Sequence, residues 1–305
     1  MDYLSVKATA EQWNISDRRV RALCAGQRIP GAVRQGKTWL IPVDAVKPGD
    51  GRQLRGKSVP FPFREWFLRI DAKKARLDAM RPLTSGEIAR LREEFIVEFT
   101  FNSNAIEGST LTLQETAMVL EGLTIAQKPL KDHLEAVGHR DAFQYIQQLV
   151  SDKVPLSEWM IKEIHALVLM DRPEDKGVYR RIPVQIMGAV HEPVQPFLVQ
   201  PKMEQLISDN RKKSGMHTLD RIAWFHLTFE GIHPFIDGNG RTGRLLLNFD
   251  LMQHGYLPVD VKFTDRGRYY EAFDSFYRDG DSGPMVQLIA AYVEEKLDRM
   301  LGMLA

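Results

Sequence analysis

The sequence predicts a mainly α-helical protein in two modules, a small N-terminal one and a large helical body interrupted by a small β-hairpin. Three observations predict it. Helix-start signals recur beyond residue 60: Thr84-x-x-Glu87 and Thr112-x-x-Glu115 are capping boxes, and Asp132-x-x-Glu135 is a weaker relative. The charge is uneven: residues 1–57 hold 11 Lys+Arg against 5 Asp+Glu, leaving 30 against 35 in the rest, although the whole chain has 41 against 40. Between the two parts runs Pro48-Gly-Asp-Gly-Arg-Gln-Leu-Arg-Gly-Lys-Ser-Val-Pro60, rich in Gly and Pro and without a hydrophobic period, as in a linker.

Composition sets the outer bounds. A chain of 305 residues suits one large domain or two unequal ones. It can bury roughly three quarters of its unfolded surface without a disulfide or metal staple. At 44% hydrophobic and 27% charged it is neither disordered nor fibrous. The single cysteine, Cys24, excludes a disulfide scaffold and a thiolate zinc site and fits a reducing compartment. The first residues lack an apolar core and a cleavage site, and apolar runs such as Ala166–Met170 fall far short of the ~18 residues a membrane span needs. The expectation is a soluble, cytoplasmic protein with no membrane partner.

In the N-terminal module, residues 1–50, Ser5 can cap a helix to about Trp13, with Val6, Ala8, Ala10 and Trp13 as packing residues. Ser16 can cap a second from Asp17 to Ala25, ended by Gly26, with Val20 and Leu23 facing inward. Ala32–Arg34 and Thr38–Ile41 read as a hairpin with a basic tip at Gln35-Gly36-Lys37. Two helices, a tight turn and a β-wing resemble a winged helix-turn-helix of the MerR or excisionase type. The resemblance implies DNA as a partner, with Arg18, Arg19 and Arg21 on the helix that enters the groove and Lys37 on the wing. One such module makes few phosphate contacts, so a homodimer or a second partner is expected.

After the linker, 51–60, the body at 61–305 reads as nearly all helix. Helices are expected at about 85–102, 113–121, 133–150, 157–169, 202–213, 219–231, 241–254, 266–277 and 284–301. The strand pair expected is Ile182–Met187 with Pro193–Val199. The other histidines, among them His165 and His226, read as structural or exposed.

The chemistry concentrates in His233-Pro-Phe-Ile-Asp-Gly-Asn-Gly-Arg-Thr-Gly-Arg244. A helix ending near Gly231 and another starting near Arg241 leave a loop in which Gly238 and Gly240 let the backbone approach an anion. Arg241 and Arg244, three apart, can share one face of the new helix. Two cations at a helix N-terminus oppose its dipole unless an anion sits there. Asp237 supplies a hard oxygen for Mg²⁺, and His233 can accept a proton near neutral pH. Together they describe a nucleotide-phosphate site.

This string resembles the signature of the Fic family at every position, and the resemblance extends over most of residues 60–300. It implies a Fic-type helical bundle with a catalytic core around 155–280, and transfer of AMP from ATP to a Ser, Thr or Tyr hydroxyl of a target protein. His233 would deprotonate that hydroxyl and Asp237 would hold Mg²⁺ on the α- and β-phosphates. Gly238, Asn239 and Gly240 would form the anion hole, with Arg241 on the β-phosphate and Arg244 near the γ-phosphate. Doc-type relatives, which phosphorylate instead, carry Lys where Gly240 stands, so Gly240 favours AMP transfer.

Gly177-Val-Tyr-Arg180 and the hairpin after it look like the family's flap, which docks the target segment by strand addition, with Ile186, Met187 and Val190 as clamp residues. Tyr269 and Tyr270 stand where the family often builds its adenine pocket. Ser103-Asn-Ala-Ile-Glu107-Gly108 is similar to the inhibitory motif of self-restrained members, here in a helix at around 95–108 that precedes the active-site string. The resemblance implies that Glu107 pairs with Arg244 and withdraws it from the γ-phosphate. Two alternatives stay open: an enzyme that also removes AMP, and a nucleotide-sensing regulator with little catalysis.

Overall fold

The computed structural model describes residues 3–13, 15–25, 29–36, 38–43, 45, 47, 61–80, 82–186 and 188–304. The chain divides into two compact units, 1–60 and 61–305.

In the first unit, strand β1 (Tyr3–Ser5), helices α1 (Val6–Trp13) and α2 (Asp17–Ala25), and strands β2 (Val33–Gln35) and β3 (Thr38–Pro42) follow in order. The sheet order is β1-β3-β2, antiparallel throughout, with Leu4 opposite Ile41 and Arg34 opposite Trp39. Ser5 Oγ accepts from Ala8 N at 3.2 Å, which starts α1 where a cap was expected. Val6, Ala10, Trp13, Val20, Leu23, Cys24 and Ile41 form the core of this unit. Thr9, not Ala8, is the further buried residue of α1, its hydroxyl donating to Ser5 O at 3.0 Å. Strand β1 escaped the sequence reading because three residues are too short to show a period of two. The side chain of Arg19 and the whole of Lys37, both assigned to DNA, lie outside the described residues.

The second unit is built of α3 (Phe61–Asp78), α4 (Ser85–Ile106), α5 (Leu113–Leu120), α6 (Leu130–Ser151), α7 (Glu158–Val168), α8 (Pro196–Lys212), α9 (Thr218–Ile232), α10 (Asn239–Gln253), α11 (Arg266–Asp279) and α12 (Gly283–Leu304). Both capping boxes form: Thr84 with Glu87 at the head of α4, and Thr112 with Glu115 at the head of α5. Helix α10 lies at the centre, packed against α9, α6, α7 and α4, while α12 packs against α3, α9 and α11. Phe99, Phe143, Ile146, Met160, Ile164, Phe229, Leu245 and Phe249 fill the core between them. A buried ion pair inside this body, Arg221 to Asp250 with two bonds of 2.8 Å, ties α9 to α10.

The expected flap hairpin is corrected. Pro196 occupies the first turn of α8, so residues 196–199 are helical, and no described residue from 182 to 195 is in a strand. Val194 and Val199 are β-branched, which at short range suits a strand. The dominant periodicity is instead helical: Val199, Met203, Leu206 and Ile207 are buried, and Pro196 presets the dihedral of a first turn. No helix among the described residues is long and apolar enough to cross a membrane.

Candidate active site

Helix α9 ends at His233, whose φ of 51° and ψ of 62° place a non-glycine residue in the left-handed region. That conformation costs on the order of 1 kcal/mol or more and needs outside support. The His233 N–H donates to Phe229 O at 3.0 Å, and Arg180 Nε donates to His233 O at 2.7 Å. His233 Nδ1 lies 3.3 Å from the carbonyl of Glu230. A carbonyl only accepts, so Nδ1 carries the proton and Nε2 keeps its lone pair. Burial holds the imidazole at a pKa of about 4, against the opposing pull of that carbonyl, so the ring is neutral at pH 7.

The loop to α10 is held by its own side chains. Asn239, buried at the start of α10, accepts from Phe235 N and donates to Phe235 O, both at 2.9 Å. Gly238 caps α10 with φ of 75°, and its N–H donates to Asp237 Oδ1 at 2.6 Å. Thus the Asn239 side chain braces the loop, and what the segment can offer an anion is its backbone at the helix start. His165 of α7 stacks on Phe235 at 3.6 Å and is fixed at both nitrogens. Its Nδ1 accepts from Gly177 N and its Nε2 donates to Asp237 O, each at 2.9 Å. Burial depresses its pKa to about 4, in keeping with a core histidine.

Arg241 and Arg244 are both buried, and each meets a carboxylate from a different helix. Arg241 Nη1 lies 2.9 Å from Glu135 Oε1 on α6, and its Nη2 lies 3.4 Å from Asp237 Oδ1. Arg244 Nη2 bonds Glu107 Oε1 and Ser103 O at 2.7 Å each, while its Nε donates to Ser103 Oγ at 3.0 Å. Burial alone would lower the Arg244 pKa, but Glu107 and Tyr269 outweigh it and hold the guanidinium above its ordinary value. For Asp237, burial pushes upward, but Arg241 and the Gly238 N–H prevail and keep the carboxylate below its ordinary range.

Glu107 terminates α4, and Gly108 follows with φ of 95°, the left-handed position that favours glycine after a helix. Gly240 has a second, spatial reason to be glycine. A Cβ there would stand 2.2 Å from Glu107 Oε1, so the space a side chain would need holds the carboxylate instead.

These groups border a cavity of about 370 Å³ lined by Glu107, Glu230, His233, Gly240, Arg244, Tyr269, Tyr270, Tyr277 and, from the segment after Arg180, Ile186, Gly188, Ala189 and His191. Arg241, Asp237 and Asn239 do not line it. Tyr269 is buried, with its hydroxyl 2.7 Å from His226 Nε2, whereas Tyr270 is half-exposed and donates to Ile106 O at 3.2 Å. Val190 is exposed and outside the lining, and Met187 lies outside the described residues.

Residues 155–251 match the Fic/DOC family model. They are a Fic domain. The protein adenylyltransferase Fic of Drosophila willistoni is 35% identical over 237 residues, covering 76% of this chain and 47% of that protein; its namesake from Drosophila melanogaster is 34% identical over 238 residues. The chain therefore spans about half the length of the curated relatives it matches. Among solved structures, Fic-1 of C. elegans superposes with a TM-score of 0.70 at 28% identity, covering 79% of this chain and 72% of that one. A Fic domain containing signaling protein of Bacteroides thetaiotaomicron gives 0.67 at 27%, covering 78% and 94%.

Several residues of the Fic domain and its neighbouring helices had no assigned role in the sequence. Arg180, buried, donates to the carbonyls of His233, Ile182, Val194 and Ile232, and so ties both ends of the 182–195 segment to the end of α9. Glu230 is a buried carboxyl in the cavity wall, raised by burial to about 8, and therefore neutral at pH 7. His191 stacks on Tyr277 at 3.9 Å and approaches Gly231 O at 2.9 Å, which seats the segment on the cavity rim. The contacts of Arg180 and His191 with the end of α9 had no local signal, because those partners lie 40 to 53 residues away.

Proposed function

We propose that this chain is an autoinhibited protein adenylyltransferase that moves AMP from ATP to a Ser, Thr or Tyr hydroxyl of a target protein. The observation that carries the reading is the bare Nε2 of a neutral His233 on a cavity bounded by Arg244 and the start of α10. The relatives' name, protein adenylyltransferase, supports the reaction class. In the step, the target hydroxyl oxygen attacks the α-phosphorus and its proton passes to His233 Nε2. An oxygen–phosphorus bond forms, the bond from the α-phosphorus to the bridging oxygen breaks, and pyrophosphate leaves. The backbone N–H groups at the start of α10 and the arginines stabilise charge on the phosphates.

Asp237 fits a hard divalent cation: its carboxylate is ionised and one third exposed. The described residues contain no group of three or more His, Cys, Asp or Glu able to hold a metal, so phosphate oxygens would complete the shell. When bound, Mg²⁺ would supply charge neutralisation on the phosphates. Glu107, on Arg244, stands where a terminal phosphate would be received, and restrains the enzyme. Because Glu107 also lines the cavity with His233, a second activity, hydrolytic removal of AMP with Glu107 orienting water, uses the same groups.

Incorporation of label from α-labelled ATP into lysate protein tests the reading: Glu107→Gly should label strongly, and Glu107→Gly/His233→Ala not at all. Background labelling by both proteins would leave a nucleotide sensor as the better account, and labelling by the double variant equal to that of Glu107→Gly would refute His233 as the base. For the N-terminal unit the reading is DNA binding, supported by its excess of basic residues and by exposed Arg18, Arg21 and Arg34. Arg18→Ala/Arg21→Ala should weaken duplex binding and flatten its salt dependence. Unchanged slopes would refute the assignment.

A further inference from the structure

Asp237 is held by two arginines of unlike freedom. Its Oδ1 faces Arg241, which is 1% exposed and fixed from behind by Glu135 at 2.9 Å. Its Oδ2 meets Arg172 Nη2 at 3.2 Å, and the Arg172 side chain is 38% exposed. The backbone around Arg172 cannot follow a moving side chain. Arg172 O accepts from Asp175 N and Lys176 N at 3.1 Å each, and the turn ends at Gly177, whose N–H is bound by His165. The same His165 holds the Asp237 carbonyl. One histidine therefore sets the distance between the two backbones, and the long Arg172 stem is the part left to swing.

We propose that Arg172 is a removable stand-in cation: it occupies the outer oxygen of Asp237 until a divalent cation arrives with the nucleotide, and then turns onto the phosphate oxygens of the departing pyrophosphate. This rests on the reading that Asp237 receives the metal. The physical argument is charge exclusion. A divalent cation on Oδ2 stands where the guanidinium stands, and the two repel. Arg241 cannot yield, being buried against Glu135, so Arg172 does. A guanidinium released beside metal-bound phosphates has planar donors suited to their oxygens, and the charge it meets grows as the bond to the α-phosphorus breaks. Before the nucleotide binds, the same side chain keeps Asp237 from repelling the incoming triphosphate.

Such exchange has a signature that a merely structural residue lacks, because two affinities move in opposite directions. In the full-length Glu107→Gly protein with a non-hydrolysable ATP analogue, Mn²⁺ binding is followed by electron paramagnetic resonance. Analogue binding without metal, in chelator, is followed by calorimetry. Arg172→Gln should lower the Mn²⁺ midpoint about two- to five-fold, the worth of losing one partly exposed competing charge. It should weaken metal-free analogue binding by a similar factor. Arg172→Lys should keep the Mn²⁺ midpoint of the parent. If Arg172→Gln leaves the Mn²⁺ midpoint unchanged or raises it, while Asp237→Ala raises it strongly, the stand-in role is wrong and the Asp237 assignment stands. If Asp237→Ala leaves Mn²⁺ binding untouched, the metal assignment itself falls.

Discussion

Replacing Glu107 removes the carboxylate that sits 2.7 Å from Arg244 Nη2 on the wall of the cavity. A triphosphate whose terminal group takes the same guanidinium must bring its charge to within ~4 Å of that carboxylate. Two like unit charges at that distance repel by about 4 kcal/mol at an effective dielectric of ~20. The Glu107 side chain is 35% exposed, so solvent and salt screen it, and about 2 kcal/mol is the reasonable share. That corresponds to roughly 30-fold in nucleotide affinity. Arg244 itself should stay in place, because Ser103 still binds it through both Oγ and the backbone carbonyl. Calorimetry with a non-hydrolysable ATP analogue and with ADP measures the effect on wild type, Glu107→Gln and Glu107→Gly. The triphosphate should tighten by about that factor in both variants and ADP by much less, since ADP leaves the Arg244 position empty. Glu107→Gln retains shape without charge, so it separates repulsion from occupancy. If triphosphate and diphosphate tighten equally, or neither does, the electrostatic account of the restraint is wrong.

Three further outcomes follow from the same geometry. Arg180→Lys should behave like Arg180→Ala, because a single ammonium cannot reach carbonyls on both sides of the 182–195 segment; faster proteolytic nicking within that segment, with a lowered Tm, is the readout. Glu135→Ala should destabilise the fold, by at most about 3–5 kcal/mol, by leaving buried Arg241 with only its 3.4 Å contact to Asp237, whereas Glu135→Leu/Arg241→Met should recover much of that loss in urea unfolding. Glu230 has a folded pKa of about 8 against an ordinary 4.5, so the native state binds its proton more tightly than the unfolded chain. Its stabilising share is complete below about pH 4.5 and is lost as pH rises towards 8. Glu230→Gln should therefore remove part of the stability decline between pH 5 and 8; parallel pH curves for the two proteins would contradict the assignment. The buried histidines 165, 226 and 233, with pKa values lowered to about 4, 3 and 4, act oppositely and cost stability as pH falls below 6.5. Comparing the variant with wild type at each pH cancels their contribution.

Much of the helical body was legible because its signals are local. Thr84 and Thr112 each close a capping box with the glutamate three residues on, whereas Asp132-x-x-Glu135 caps nothing, since α6 starts at Leu130 after Pro129. The loop of 233–244 was legible for the same reason: its glycines and Asn239 act within one turn of chain. The 182–199 stretch misled because β-branched residues and prolines are ambiguous at short range, and only packing of Val199, Met203 and Leu206 into the core decides for helix. Helix α3 lay within a stretch expected to be helical, but its start at Phe61 had no cap signal to mark it.

What the sequence determined by itself was the inventory: which residues start helices, which loop exposes its backbone to an anion, and that a histidine, an aspartate and two arginines stand within that loop and first turn. What only the tertiary structure decided was the pairing. Arg241 meets Glu135 from α6, Arg244 meets Glu107 from α4, Asp237 meets Arg172 from the turn after α7, and Arg180 gathers carbonyls from α9's end and from both ends of the 182–195 segment. Backbone conformation is set by neighbours a few residues away. The protonation, freedom and reach of a buried charge are set by whichever group the fold brings within ~4 Å, however distant in the chain.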